Sequence, residues 1–204
     1  MSIPGELHLA YRIIIDPLES FRQLKTRSFM DSLTHILEFG WVTAILSGVL
    51  RLYGVDYGNP SNAGGSAQIF AAWVFGNVDF GVAPLFQAVI FAVLVMIGYL
   101  VLALISTPIL AAASWVLMGR PSFDELPRLS IVAVSYGMTP GFLFGWMPNP
   151  FYFVGLWATL WQALAVKEVF GFSWVRSLLV VFSWVLGVAI LHDLAGFILR
   201  VIVG

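Results

Sequence analysis

The sequence predicts an all-α polytopic membrane protein: a bundle of five transmembrane helices preceded by a short N-terminal amphipathic helix. Three observations predict it. Of the 204 residues, 60% are hydrophobic and 10% charged, with mean hydropathy +0.93, whereas soluble domains run at about 45–50% and about 25%. Five apolar stretches, over 32–53, 84–118, 127–146, 151–169 and 177–203, reach the roughly 20 residues a helix needs to cross the hydrocarbon. The cations sort to one side of these stretches. The chain therefore divides into an N-terminal segment, 1–31, and a membrane domain, 32–204.

With the N-terminus cytoplasmic, the inner segments hold Arg12, Arg22, Lys25, Arg27, Arg120, Arg128, Lys167 and Arg176, and the outer ones Arg51 and Arg200. That is the asymmetry of the positive-inside rule, and it places the C-terminus outside. The opening "MSIPGELHLAYR" has no basic lead before a short apolar core, so no cleaved leader is expected. A net charge of −1 excludes a basic, nucleic-acid-coating surface. The absence of cysteine excludes thiolate metal sites, disulfides and thiol nucleophiles.

In chain order, "DPLESFRQLKTR" comes first. Asp16 is placed as an N-cap, Pro17 at the first helical position and Glu19 three residues past the cap. Leu18, Phe21 and Leu24 recur at threes, with Arg22, Lys25 and Arg27 beside them. The segment reads as an interfacial helix whose cations lie near anionic headgroups, or as a connector packed on the other helices. After the first span, "GVDYGNPSNAGGSAQ" is a solvated loop. "IFAAWVFGNVDFGVA", interrupted by Asp79, reads as interfacial or re-entrant. The second span, at about 1.5 Å per residue, would reach roughly 50 Å; it must tilt, protrude or bend, and Pro108 is the natural bend point.

The third span holds "SYGMTPGFLFGWMPNP". Gly137, Gly141 and Gly145, four apart, form a small-residue face on which another helix can approach closely. Pro140 deprives the Tyr136 carbonyl of its usual amide, leaving it to water, Thr139 or a neighbouring helix. "MPNP" then ends the span and joins it to the fourth by a tight turn. A gate or cavity at a broken helix and a kink that lets helices pack are both open readings.

Ionisable groups inside a bilayer are costly and are functional candidates by default. They are His35 and Glu38 in the first span, one helical turn apart, and His192 and Asp193 in the last. The first pair suits a shared proton or a metal, but its depth separates it from the second, so no metal ion bridges them. Structural ion pairs with Lys167, Arg128 or Arg176 for Glu38, and with Arg200 or Arg51 for Asp193, are the alternative. No zinc-protease helix, nucleophile elbow or phosphate loop is present. No enzyme, cofactor or metal is therefore expected. The eight tryptophans fall mostly near span ends, as membrane-interface anchors do.

Three segments, "DPLESFRQL", "LPRLSIVAVSYGMTP" and "LWQALAVKEVFGFSWVRS", resemble the Yip domain family of five-span membrane proteins. Pro17, Phe21, Tyr136, Lys167, Glu168, Gly171 and Arg176 carry the likeness. The chain is similar to prokaryotic-type members, which lack the acidic tail of their eukaryotic relatives. The resemblance implies five spans with a cytoplasmic N-terminus, in a prokaryotic cell membrane. Together with the small-residue face and the empty search for catalytic residues, it leads to the expectation of a non-enzymatic scaffold or membrane-organising factor acting through helix–helix, protein and lipid contacts, with a second copy or another membrane protein as partner. The alternative expectation is a small-solute or ion transporter using the intramembrane His, Glu and Asp groups.

Overall fold

The computed structural model describes residues 3–57, 68, 71–72, 82–118, 122–147 and 151–203, with side chains at all of these except 3–4, 118, 151–154, 192–193 and 195–203. Most of the re-entrant stretch, Arg120, the "PNP" connection at 148–150 and the side chains of His192, Asp193 and Arg200 lie outside that description. The described elements are α1 (Ile3–Ile15), α2 (Pro17–Gln23), a 3-10 turn (Leu24–Thr26), α3 (Phe29–Leu52), α4 (Pro84–Met118), α5 (Leu126–Gly137), α6 (Thr139–Phe144), α7 (Phe151–Phe170) and α8 (Trp174–Val203). No strand occurs among the described residues. Among the described residues, three helices are long and apolar enough to cross a membrane: α3, α4 over Pro84–Leu117 and α8 over Trp174–Leu191.

Two helices open the chain where one was expected. Asp16 and Pro17 separate them: the Asp16 carboxylate accepts from the Glu19 amide, and Pro17 takes the first helical turn of α2. Because Pro17 has no N–H, the Ile13 carbonyl four residues back loses its helical donor. The Trp161 indole of α7 supplies one at 2.9 Å. The apolar side of α2 turns inward, with Phe21 and Leu24 buried. Of the two readings for this segment, the described contacts are those of a connector packed on the bundle.

Local signals place the remaining ends. α3 starts at Phe29, three residues earlier than hydropathy suggested, because Ser28 and Asp31 form a reciprocal capping box. α7 stops at Gly171, whose φ of +72° suits a residue without Cβ, and the Phe172 amide closes back on the Lys167 carbonyl. α4 continues through Pro108, beside which the Thr107 hydroxyl donates to the Ala103 carbonyl.

α5 is the central helix. Every residue from Leu129 to Gly137 is buried, since α3, α4 and α7 all lie against it. Its buried stretch has little polar character beyond Ser130, Ser135 and Tyr136, and Arg128 stands just before it. The outer helices keep wide apolar faces uncovered, among them Phe86, Leu104, Val116, Leu178 and Phe182. α8 buries only 17% of its apolar window. Large contiguous apolar surface of this kind is what lipid or a protein partner covers.

The three glycines of the predicted face do not share a neighbour, because the helix is interrupted at Met138 between α5 and α6. At Gly137 an added Cβ would lie 2.5 Å from the Gln162 side-chain oxygen and 3.1 Å from the Gln162 backbone. Gly145 faces the Tyr99 hydroxyl, and Gly141 has open space around it. Gly137→Ala is therefore expected to lower the thermal midpoint of the detergent-solubilised chain, by the about 1–3 kcal/mol typical of overpacking. Gly141→Ala is expected to leave it unchanged or raise it, by up to about 1 kcal/mol for removing a helical glycine. The opposite ranking in a thermal melt would contradict this packing.

Candidate functional site

Pro140 sets the site up. It removes the amide that would serve the Tyr136 carbonyl, and the Thr139 hydroxyl donates to that oxygen instead, at 2.7 Å. The Thr139 oxygen also lies 3.0 Å from Nε2 of His35, a contact in which either partner can be the donor. The opposite ring nitrogen, Nδ1, lies 3.3 Å from an Oε of Glu6, which reaches in from α1. The other Glu6 oxygen has no hydrogen bond but stands 3.5 Å from a guanidinium nitrogen of Arg27, on the turn before α3.

Four segments thus converge: α1, the α2–α3 linker, α3 and the α5–α6 break. His35 is fully buried and Glu6 is 1% exposed, while Arg27, at 24%, forms the rim. Aromatic rings wall the imidazole, with centroids at 4.2 Å for Tyr136, 4.7 Å for Phe39 and 6.3 Å for Phe142. Buried ion pairs gain little net stability over an apolar core, but removing one partner strands the other at high cost. The arrangement can hold or relay a proton between a carboxyl group and an imidazole.

A second run of polar groups continues along α6. Its terminal carbonyls lack helical donors, and side chains serve them in place of water. Thr43 donates to Phe142, Gln68 to Gly145 at 3.2 Å, Tyr57 to Trp146 at 2.8 Å, and the Trp146 indole to Leu143 at 2.7 Å. The Gln68 amide also approaches Ser47 and the Tyr99 hydroxyl. Burial pushes the Tyr57 phenol upward from its ordinary pKa, with a hydrogen bond to Ser47 opposing, so Tyr57 is a neutral donor near pH 7. Gln162 of α7 ties α5 in the same way, donating to the Ala133 carbonyl at 3.0 Å.

A separate ionic cluster joins α2 to the end of α7. Arg22 Nε lies 3.0 Å from Glu168, which Lys167 also contacts, and Glu19 flanks Arg22 at 3.9 Å. Lys167 stands over the Trp174 ring at 5.5 Å. Arg128 donates to the carbonyls of Lys25 and Arg27. Of the cations that the sequence offered to Glu38, Lys167 and Arg128 are thus engaged elsewhere.

Of the residues singled out from sequence, His35 and Tyr136 meet at the cluster, with Pro140 as its cause. Glu38 is not His35's partner: one turn along α3 it is only partly buried, and the carboxylate at the imidazole is Glu6. No group of three His, Cys, Asp or Glu suited to a metal ion occurs among the described residues. Pro17 starts α2, Phe21 is buried beneath it, Lys167 and Glu168 join the ionic cluster, Gly171 makes the turn and Arg176 is exposed on α8. An apolar groove of about 590 Å³ opens elsewhere, beside Pro108, between Leu104, Trp115, Leu126 and Ile131. No charged side chain lines it, so the chemistry is not there.

Sequence reasoning missed Glu6, Gln68 and Gln162, and it gave Arg27 to lipid headgroups and not to Glu6. Glu6 had one available signal: with Ala10 and Ile13 it falls on a single helical face, all three buried. A scan of family models, the curated proteins and the solved structures gives no match to this chain.

Glu6→Ala is expected to destabilise the solubilised chain by about 1–3 kcal/mol, because it leaves the fully buried His35 Nδ1 without its partner. Thr139→Val, which unpairs both the Tyr136 carbonyl and His35, is expected to cost about 1–3 kcal/mol. The double variant should cost less than the sum, since both act through His35. Strict additivity in denaturant or thermal melts would show that the contacts are independent.

Proposed function

We propose that the chain is a five-span integral membrane protein of the Yip-domain type, a non-enzymatic scaffold or membrane-organising factor of a prokaryotic cell membrane. In this reading α3, α4, α5 with α6, α7 and α8 each cross once. The N-terminus is cytoplasmic and the C-terminus outside. α5 and α6 together run from Leu126 to Phe144 and α7 has 20 residues, lengths that suit a bilayer core of about 30 Å. Anionic lipid headgroups would meet the exposed Arg22 and Lys25, with Arg27 behind them. A second copy or another membrane protein would cover the uncovered apolar faces.

The observation that carries the scaffold reading is how the buried polar groups are used. Glu6, His35, Thr139, Thr43, Gln68 and Gln162 each bond to another helix or to a helix-end carbonyl. Polar groups engaged in this way rigidify a bundle and leave its outer surface for recognition. The absence of native cysteine makes the topology directly testable. Ser2→Cys and Gly204→Cys, probed in intact cells with a membrane-impermeant maleimide, are expected to label from opposite sides. Labelling of both from one side would overturn the five-span reading.

A second reading, a small-solute or ion transporter or channel, is favoured by one specific observation. A titratable carboxyl–imidazole pair lies inside the bundle in line with the hydroxyls and amide of Thr139, Thr43, Tyr99 and Gln68. It requires proton- or ion-coupled flux in proteoliposomes that His35→Gln abolishes. Tight vesicles carrying the folded wild-type chain would remove it.

A further inference from the structure

We infer that α1 is an in-plane membrane helix: it lies inside the cytoplasmic leaflet against the side of the bundle, and the acyl chains of that leaflet cover Leu7, Tyr11 and Ile15. This placement rests on the five-span reading above and adds a lipid-immersed element to it. Two independent observations lead there, the level of α1 along the spans and the sorting of its three faces.

The cations supply a ruler for the level. Arg22 and Lys167 both meet Glu168, and Arg128 donates to the carbonyls of Lys25 and Arg27, so these five share one layer. With five spans that layer stands at the inner headgroups. α1 meets the spans elsewhere. Its Ile13 carbonyl accepts from the Trp161 indole, its Glu6 contacts His35, and α6, which begins at Thr139, lies beside it. Counted from Lys167, Arg27 and Arg128, the residues Trp161, His35 and Thr139 are deeper by roughly 9, 12 and 16 Å at about 1.5 Å per helical residue. One leaflet contributes about 15 Å of the roughly 30 Å hydrocarbon core, so α1 runs beneath the headgroups.

α1 also lies beside the spans and does not cap them. Its Glu6 end touches α3 and its Ile13 end touches α7, while α3 continues past the contact to Leu52 and α7 extends beyond Trp161 to Phe151. The outward side of α1 therefore has the surroundings of the spans themselves. At or beyond this level those spans expose Leu37 and Trp41 on α3, and Leu156 and Leu160 on α7.

The faces of α1 match such a position. Glu6, Ala10 and Ile13 form the buried strip. Leu7, Tyr11 and Ile15, spaced by four, form a second strip that is 60%, 62% and 66% exposed. His8 and Arg12, continued by Asp16, form a third. A helix docked on a bundle in water has use for two faces, one apolar and one polar. An in-plane helix in a leaflet has use for three, against protein, hydrocarbon and headgroups. Arg12 shows which way the polar strip points: its guanidinium reaches Gln23, the neighbour of Arg22 in the cation layer, at 3.4 Å. A long cationic side chain rooted below the headgroups extends to them in this way.

Spin labelling tests the placement in the full chain, which has no native cysteine. Leu7→Cys, Tyr11→Cys and Ile15→Cys sit at exposed positions, as do His8→Cys on the polar strip and Phe182→Cys, the reference on α8. Each variant is labelled and placed in nanodiscs of phosphatidylcholine and phosphatidylglycerol. Collisions with oxygen, which dissolves in hydrocarbon, are compared with collisions with a water-soluble nickel chelate. Labels at 7, 11 and 15 are expected to lose the nickel collisions seen at 8 and to keep oxygen collisions at the level seen at 182. Nickel access at 7, 11 and 15 with lipid exposure at 182 would overturn the in-plane helix and leave the five-span reading standing. Shielding of 7, 11 and 15 from both reagents would show protein, such as a second copy, over the strip and would overturn it too. Nickel access at 182 would sink the membrane reading and the in-plane helix with it.

Discussion

The Tyr136 carbonyl lies inside the bundle without the amide four residues on that a helix would give it, because Pro140 occupies that position; the Met138 amide, two residues on, is shared with the Val134 carbonyl. Leaving such an oxygen unpaired away from water costs on the order of a lost hydrogen bond or more. Thr139 meets the requirement from one residue before the proline. The same threonine oxygen meets Nε2 of His35, whose other ring nitrogen faces Glu6 of α1. Groups from three helices are thus joined at one break.

The same constraint recurs around the fold. Pro17 frees the Ile13 carbonyl, and Trp161 ties it to α7. The end of α6 frees further carbonyls, which Thr43, Gln68 and Tyr57 collect from three other parts of the chain. Interior cross-links are therefore mostly side chain to carbonyl, not charge to charge. Charged contacts gather at the α2–α7 cluster, where Arg22 is more than half exposed and solvent limits their strength. Where apolar surface faces outward, helix–helix attraction needs hydrogen bonds and close packing more than hydrophobic burial, and Gly137 against Gln162 supplies both at one position.

Two kinds of surface follow. The inner layer, α5 with the parts of α3, α4 and α7 that touch it, is closed, with the Ser130 hydroxyl and the Gln162 side-chain oxygen buried in it without a hydrogen bond. The outer layer, above all α8 and the outward side of α1, is apolar and open. A protein that acts through partners and lipid needs the second, and needs the first to hold it in shape. The Glu6–His35 contact joins them, since there the peripheral α1 is fastened to α3 of the inner layer.

The residues by themselves determined much of the local structure. Composition called for helices in an apolar medium, α4 runs over the expected 84–118, and Pro140 marked the break with Thr139 among its possible donors. Such features are legible because hydropathy, missing amides and caps act over a few residues. Only the tertiary structure decided that α1 exists as a docked helix, that the glycines split between different neighbours, and that His35 looks to Glu6, 29 positions away, and not to Glu38 on its own helix. A partner across the bundle leaves no trace in local spacing. It is selected by which buried atom lacks a hydrogen, and that is known only once the helices have been brought together.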